Sequence, residues 1–128
     1  MRELGSYHAM ITKAELVRLL ADLESDRIER TESVNKTDKF AEAITAFAND
    51  LPNHGLPGYL VVGARNDGSL KGLAVTDQLL ISLANLRSDG NIQPLPALNV
   101  AKFSFAEGDL AVVEVHPSDL RQFVIKAR

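Results

Sequence analysis

The segment that most restricts the fold is the uninterrupted apolar run at residues 59–62, because a short run of this kind is typical of a buried strand. Residues 51–57 before it contain two prolines, an asparagine and a glycine, which favour a loop and stop a preceding helix. Residues 66–68 after it have tight-turn chemistry, and residues 70–73 can return antiparallel. The sequence therefore predicts a hairpin at the centre of the chain.

Apolar residues at helical spacing predict two helices in the N-terminal half. Thr12 and Glu15 form a capping box, and leucines at helical spacing follow, so we expect the first helix over residues 12–23. Thr37 is the expected N-cap of the second helix, which should end near Asn49. The core side of this second helix is an apolar stripe: Phe40, Ala41, Ile44, Phe47 and Ala48.

One further helix and several strands are predicted in the other segments. Thr76 is the expected N-cap of a third helix, and this helix should end at residues 88–91. Strands are expected at residues 27–32, 100–105, 110–115 and, in the tail, 123–125. The first of these is polar and suits an edge or half-exposed position, whereas the second and third form a hairpin.

The order helix, strand, helix, hairpin, helix, hairpin predicts an α+β fold: a mixed, mostly antiparallel sheet with about three packed helices. The 128 residues suit one domain, with a core over about residues 12–117. No apolar run is long enough for a membrane helix and no secretory signal begins the chain, so we expect a cytoplasmic protein without membrane contact. The absence of cysteine excludes disulfides, thiolate catalysis and sulfur-ligated metal centres.

Several short motifs recur in a definite order along the chain. They are Glu24-Ser25, Glu29, residues 46–49, residues 58–63, Asp67-Gly68 and Gly72. In this order they resemble the Schlafen AlbA-like DNA-binding domain family, known in bacterial putative transcriptional regulators and in animal Schlafen proteins. The chain departs from the family pattern where Arg30 and Thr31 replace an aromatic residue and a lysine, and where residues 51–57 replace a Gly-Gly turn.

The resemblance implies a fold and a choice of functions. In family members that cut RNA, three acids at these motif positions form the active site, and they fall on Glu24, Glu29 and Asp67. Such a trio would suit Mg²⁺ or Mn²⁺ and metal-assisted phosphoryl transfer to water. Other members are described as DNA-binding or nucleotide-binding. We therefore expect a nucleic-acid-binding regulatory domain, with a metal-dependent RNA endonuclease and a non-catalytic protein-interaction or nucleotide-binding module as alternatives.

The net charge of −3 restricts how nucleic acid could be bound, because binders usually carry a basic field. Contact with DNA or RNA is expected to be weak or confined to a patch, and a homodimer is a further possibility. Phe40 and Phe47 lie on the core stripe and are poor candidates for base stacking. The candidate phosphate-binding residues are those close to the acids in sequence: Arg30, Lys36, Lys39, Arg65 and Lys71.

Overall fold

The computed structural model describes residues 10–89, 92–93, 96–118 and 124–125. The helices are α1 (Lys13–Ala21), α2 (Thr37–Asn49) and α3 (Asp77–Asp89). The strands are β1 (Ile28–Thr31), β2 (Gly58–Val62), β3 (Ile92–Gln93), β4 (Leu98–Phe105), β5 (Gly108–Val115) and β6 (Val124–Ile125). None of the helices in these ranges is long and apolar enough to cross a membrane.

Four strands form the main sheet in the order β1-β2-β5-β4. The β1 and β2 pair is parallel, whereas β2 with β5 and β5 with β4 are antiparallel. The strands β3 and β6 form a separate antiparallel pair. This arrangement confirms the α+β class, the mixed and mostly antiparallel sheet and the three helices. The polar strand β1 lies at an edge of the sheet, as predicted.

The buried strand β2 separates two hydrophobic clusters because its side chains alternate between the faces of the sheet. Leu60 and Val62 belong to the cluster that includes the apolar stripe of α2 and residues of α3. Tyr59 and Val61 belong to the cluster that includes Leu16 and other residues of α1. The helices α2 and α3 therefore cover one face, and α1 covers the other.

The helix ends show which local signals decide the structure. The Thr12 capping box is present, since the Glu15 N–H donates to Thr12 Oγ1 at 3.1 Å and Glu15 Oε1 accepts from the Thr12 N–H at 2.9 Å. Thr76 Oγ1 accepts from the Leu79 N–H at 3.1 Å, so the predicted cap of α3 is also confirmed. For α2 the predicted end at Asn49 is confirmed but the predicted cap was wrong: Lys36 occupies the N-cap position without a side-chain hydrogen bond, and Thr37 is the first helical residue.

Residues 70–73 do not form the predicted return strand. They make two isolated antiparallel bridges, Ala64 with Leu70 and Leu73 with Asp109. Both edges of β2 are already paired, with β1 and with β5, so a returning strand has no place beside it. In the tail, β6 confirms a short strand at 124–125, while Phe123 and residues 90–91 after α3 lie outside the described residues.

A fully buried carboxylate, Glu114 on β5, is satisfied by groups from several elements. Its oxygens accept from the Tyr59 hydroxyl at 2.9 Å, the Ile11 N–H at 3.2 Å and Asn99 Nδ2 at 3.4 Å, and His116 Nε2 lies 3.4 Å away. Burial and the hydrogen bond to Glu114 raise the pKa of Tyr59 above its ordinary value. This cluster ties the segment before α1 to the middle of the sheet.

We expect Tyr59→Phe to lower the free energy of unfolding by about 1–3 kcal/mol, because the buried carboxylate loses a donor while the apolar packing is kept. Urea denaturation measures the change. A double-mutant cycle with Glu114→Gln provides the control, since two groups in one network should be non-additive. Additive effects would contradict a direct coupling of the two side chains.

Candidate functional site

A cleft of about 190 Å³ lies between β1 and the start of α2. Glu29 and Thr31 line it from β1, Lys36 and Lys39 from α2, and Asn66 from the turn after β2. Glu29 and Thr31 alternate with the residues that face α1, so both lie on the α2 side of the sheet. The cleft is lined mainly by polar groups of both signs of charge, with Phe40 and Leu60 as its apolar lining.

The start of α2 carries the features that attract an anion to this cleft. The N-cap residue Lys36 supplies no side-chain hydrogen bond, and the first helical N–H that finds a carbonyl is that of Phe40, bonded to Lys36 O at 3.1 Å. Within the described ranges, the ammonium groups of Lys36 and Lys39 have neither a hydrogen bond nor an ion pair, and both residues are exposed. Backbone N–H groups and the helix dipole favour negative charge at such an end.

Asp67, one of the three predicted acids, is committed to the turn that follows β2. Its Oδ1 accepts from the Ser69 N–H at 2.9 Å and from the Ser69 hydroxyl at 2.6 Å, and these hydrogen bonds lower the pKa of Asp67. Gly68 next to it has φ +89°, and a Cβ there would lie 2.6 Å from the carbonyl oxygen of Leu20. Turn geometry and close packing thus account for the Asp67-Gly68 motif.

The other two predicted acids lie in different surroundings. Glu24 is exposed in the turn after α1, where its N–H donates to Asp22 Oδ1 at 3.1 Å, and it does not line the cleft that contains Glu29. Across the part of the chain that the structure describes, no group of three or more His, Cys, Asp or Glu residues could hold a metal ion. The described residues thus assemble no site for Mg²⁺ or Mn²⁺, and the three-carboxylate centre of Glu24, Glu29 and Asp67 stays a prediction.

Three of the five predicted phosphate-binding residues, Arg30, Lys36 and Lys39, line the cleft. Arg65 donates from Nη1 to the Leu70 carbonyl at 2.9 Å, and its Nε lies 3.7 Å from Glu32 Oε1. Lys71 Nζ donates to the Glu32 carbonyl at 3.4 Å. Both residues are therefore engaged with nearby protein groups on the exposed surface.

Arg30 also borders the cleft, but its guanidinium binds the end of α1. Its Nη2 donates to the carbonyls of Leu19 at 3.3 Å, Leu20 at 2.8 Å and Asp22 at 3.1 Å. These carbonyls lie at the C-terminal end of α1, where a cation is favoured by the helix dipole, although those of Leu19 and Asp22 also accept the N–H groups of Asp22 and Ser25. Arg30 therefore fixes α1 against β1.

A second cavity, of about 220 Å³, lies at the other end of α2 and was missed by the sequence reasoning. The apolar stripe correctly predicted Phe40 as core, since that side chain is 2% exposed. Phe47 is only half-buried, and it lines this cavity. Asn49 and the prolines after it signalled a helix end and a loop, but no local pattern shows that a loop encloses space beside a helix. The remaining lining residues are Asp26, Arg27, Ala46, Asp50, Leu51, Pro52, His54, Leu56 and Gly58.

Comparisons with known proteins show the family and agree with the fold. The model of the family described as Schlafen, AlbA_2 matches residues 24–128. A similar solved structure is the solution NMR structure of the N-terminal domain of a putative ATP-dependent DNA helicase RecG-related protein from Nitrosomonas europaea. It has a TM-score of 0.69 and 22% sequence identity, over 92% of this chain and 82% of that chain. No curated protein matches the chain significantly.

We expect Gly68→Ala to destabilise the fold more than Gly55→Ala. Both glycines have positive φ, at +89° and +67°, so an added Cβ brings backbone strain of about 1 kcal/mol or more in each case. At Gly68 the Cβ also meets the Leu20 carbonyl, whereas at Gly55 there is nothing within 4 Å. Thermal denaturation of the two variants compares them, and equal losses would contradict the contact with α1.

We expect Arg30→Met to lower the free energy of unfolding by about 1.5–3 kcal/mol, because hydrogen bonds from a charged donor to the end of α1 are lost. Urea denaturation measures the loss. Arg65→Met is the matched control, since that exposed arginine bonds only within its own turn and to Glu32, and it should change stability much less. Similar losses in the two variants would contradict the assigned role of Arg30.

Proposed function

The chain belongs to the Schlafen AlbA_2 family, whose model matches residues 24–128, and on that premise we propose that it is a nucleic-acid-binding regulatory domain. The family supports a nucleic-acid-related function in general. The observation that carries the proposal is the cleft at the start of α2, where Lys36 and Lys39 lie beside a helix N-terminus without a side-chain cap. We assign the phosphate contacts to this cleft.

The chemistry of the cleft suits a sugar-phosphate backbone. Two lysine ammonium groups on one helical turn neutralise phosphate charge, and the backbone N–H groups of that turn can donate to phosphate oxygens. Thr31 and Asn66 add a hydroxyl and an amide that can bond to sugar or base edges. These groups together fix the register of a bound strand.

Glu29 and the overall charge limit how strongly the cleft can bind. A carboxylate at the rim opposes phosphate, and the net charge of −3 supplies no attractive long-range field. Binding should therefore be weak and local, with only a few phosphates contacted. Such a domain suits a regulatory role, in which binding places an attached partner on nucleic acid.

The other functions expected from the sequence stay predictions. A metal-dependent endonuclease using Glu24, Glu29 and Asp67 is not favoured by any arrangement of the described residues. A non-catalytic protein-interaction or nucleotide-binding module and a homodimer also stay predictions.

We expect the double variant Lys36→Gln and Lys39→Gln to weaken binding to every DNA or RNA sequence to a similar extent. If each lysine neutralises one phosphate, the slope of log K against log salt concentration should become less negative by about 1.4–1.8. Fluorescence anisotropy with labelled DNA and RNA over a salt series measures affinity and slope together.

Lys102→Gln is the matched control for charge, because Lys102 is an exposed lysine on β4 at the opposite edge of the sheet. It should leave both the affinity and the salt slope close to those of the unmodified protein. The double variant removes two charges and the control one, so a change in log K and in salt slope half as large in the control would assign the interaction to overall charge and remove the cleft from the proposal. The absence of salt-dependent binding to either nucleic acid would overturn the proposed function itself.

A further inference from the structure

The second cavity lies on the same side of α2 as the cleft that contains Lys36 and Lys39, which we call the lysine cleft. Within α2, Lys39 and Phe40 line the cleft and Ala46 and Phe47 line the cavity, and a spacing of seven residues keeps each pair on one stripe of the helix. With a rise of about 1.5 Å per residue, Lys39 and Ala46 are roughly 10 Å apart along the axis. The cleft and the cavity are therefore neighbouring sites along one helix, and β1 borders the cleft while the residues just before β1 border the cavity.

The walls of the cavity combine apolar surface with planar groups. Leu51, Pro52 and Leu56 contribute apolar surface, and Leu51 and Leu56 are 83% and 50% exposed. Phe47 contributes an aromatic ring that packs directly against Gly58, since a Cβ on that glycine would lie 2.2 Å from the ring. The ring is thus positioned by the main chain of β2 and still lines the cavity.

Polar groups at the border of the cavity can bond to the edge of a planar ligand. His54 Nε2 lies 2.7 Å from Asp26 Oδ1, and Arg27 donates from Nε to the Pro57 carbonyl at 2.9 Å. The His54 imidazole can stack on a flat ring, whereas the Arg27 guanidinium already lies over the Tyr59 ring, with Cζ 5.8 Å from its centroid. The site therefore offers apolar walls, an aromatic face and hydrogen-bonding groups at the rim.

We propose that this cavity binds an unpaired nucleobase of a single-stranded nucleic acid whose phosphates lie on Lys36 and Lys39. This inference rests on the proposed function and specifies the form of nucleic acid that the site takes. A base inside a duplex is stacked and paired, so it reaches a side pocket only after costly extrusion, whereas a single strand presents its bases freely. Aromatic rings beside a cationic track are the features that bind single strands without strict sequence preference.

The neighbouring lysines favour a nucleobase over an apolar side chain of a protein partner. A protein ligand would need only the exposed leucines of the loop, and the two ammonium groups on the same stripe of α2 would take no part. A nucleotide has both a flat, largely apolar base and a phosphate, and these two parts match the two sites along the helix.

The test uses fluorescence anisotropy with the full chain and three labelled probes of equal length: a single-stranded oligothymidylate, a strand of abasic sites and a duplex. We expect the base-bearing strand to bind about 10-fold tighter than the abasic strand, within the range for stacking one base. Leu51→Ser and Phe47→Leu should remove most of this difference while leaving binding of the abasic strand unchanged. Phe47→Leu is used only if its thermal unfolding shows a folded protein.

Ile81→Ser is the matched control, because Ile81 is a 53% exposed aliphatic residue on α3, away from the cavity lining. It should not change binding of any probe. Equal affinity for the base-bearing and abasic strands, with binding still lost in the Lys36→Gln and Lys39→Gln double variant, would overturn this inference and leave the proposed function in place. Failure of all three probes to bind would overturn both.

One further result would assign the loop to a protein partner. If analytical ultracentrifugation shows self-association that Leu51→Ser removes while the affinity for oligothymidylate is unchanged, the exposed leucines serve a second copy of the chain. That outcome would overturn the nucleobase inference.

Discussion

The structure depends on the burial of β2 and on the hydrogen bonding of both its edges. All five residues of this strand are buried, and both of its edges are hydrogen-bonded, to β1 on one side and to β5 on the other. Its alternating side chains fix α1 on one face and α2 on the other, since each helix packs its apolar stripe on the residues that point toward it. The position of α2 then determines both the lysine cleft at its start and the cavity at its end.

Features decided by local chemistry could be predicted from the sequence. The capping box at Thr12, the apolar stripe of α2 and the hairpin of β4 and β5 depend on neighbouring residues or on a short repeat. Lys36 and Lys39 were grouped by their closeness to the predicted acids in sequence, and the structure places both at the cleft beside the start of α2. Features decided by distant segments could not be predicted, such as the missing strand at residues 70–73, whose place beside β2 is taken by β5.

The candidate site shows the same difference between features set by neighbouring residues and features set by distant segments. Arg30 looked like a phosphate ligand by its sequence position, yet the chain brings the end of α1 to its guanidinium. Glu24, Glu29 and Asp67 follow the order of a known motif, but order along a chain does not determine the separation of side chains in space. Asp67 and Gly68 are explained by a turn and a close contact with α1, so this part of the motif can be maintained by folding alone. A match to a motif therefore predicts the fold more reliably than it predicts a catalytic site.

Asp50 organises the loop between α2 and β2 from within, in addition to the contacts of His54 with Asp26 and of Arg27 with the Pro57 carbonyl. Asp50 is buried and has φ +46°, and its carboxylate accepts from the His54 N–H at 2.9 Å and the Gly55 N–H at 2.8 Å. The loop is consequently preorganised before any ligand arrives. The entropic cost of forming a complex at this end of the helix would then fall mostly on the ligand, and association would resemble rigid docking more than induced fit.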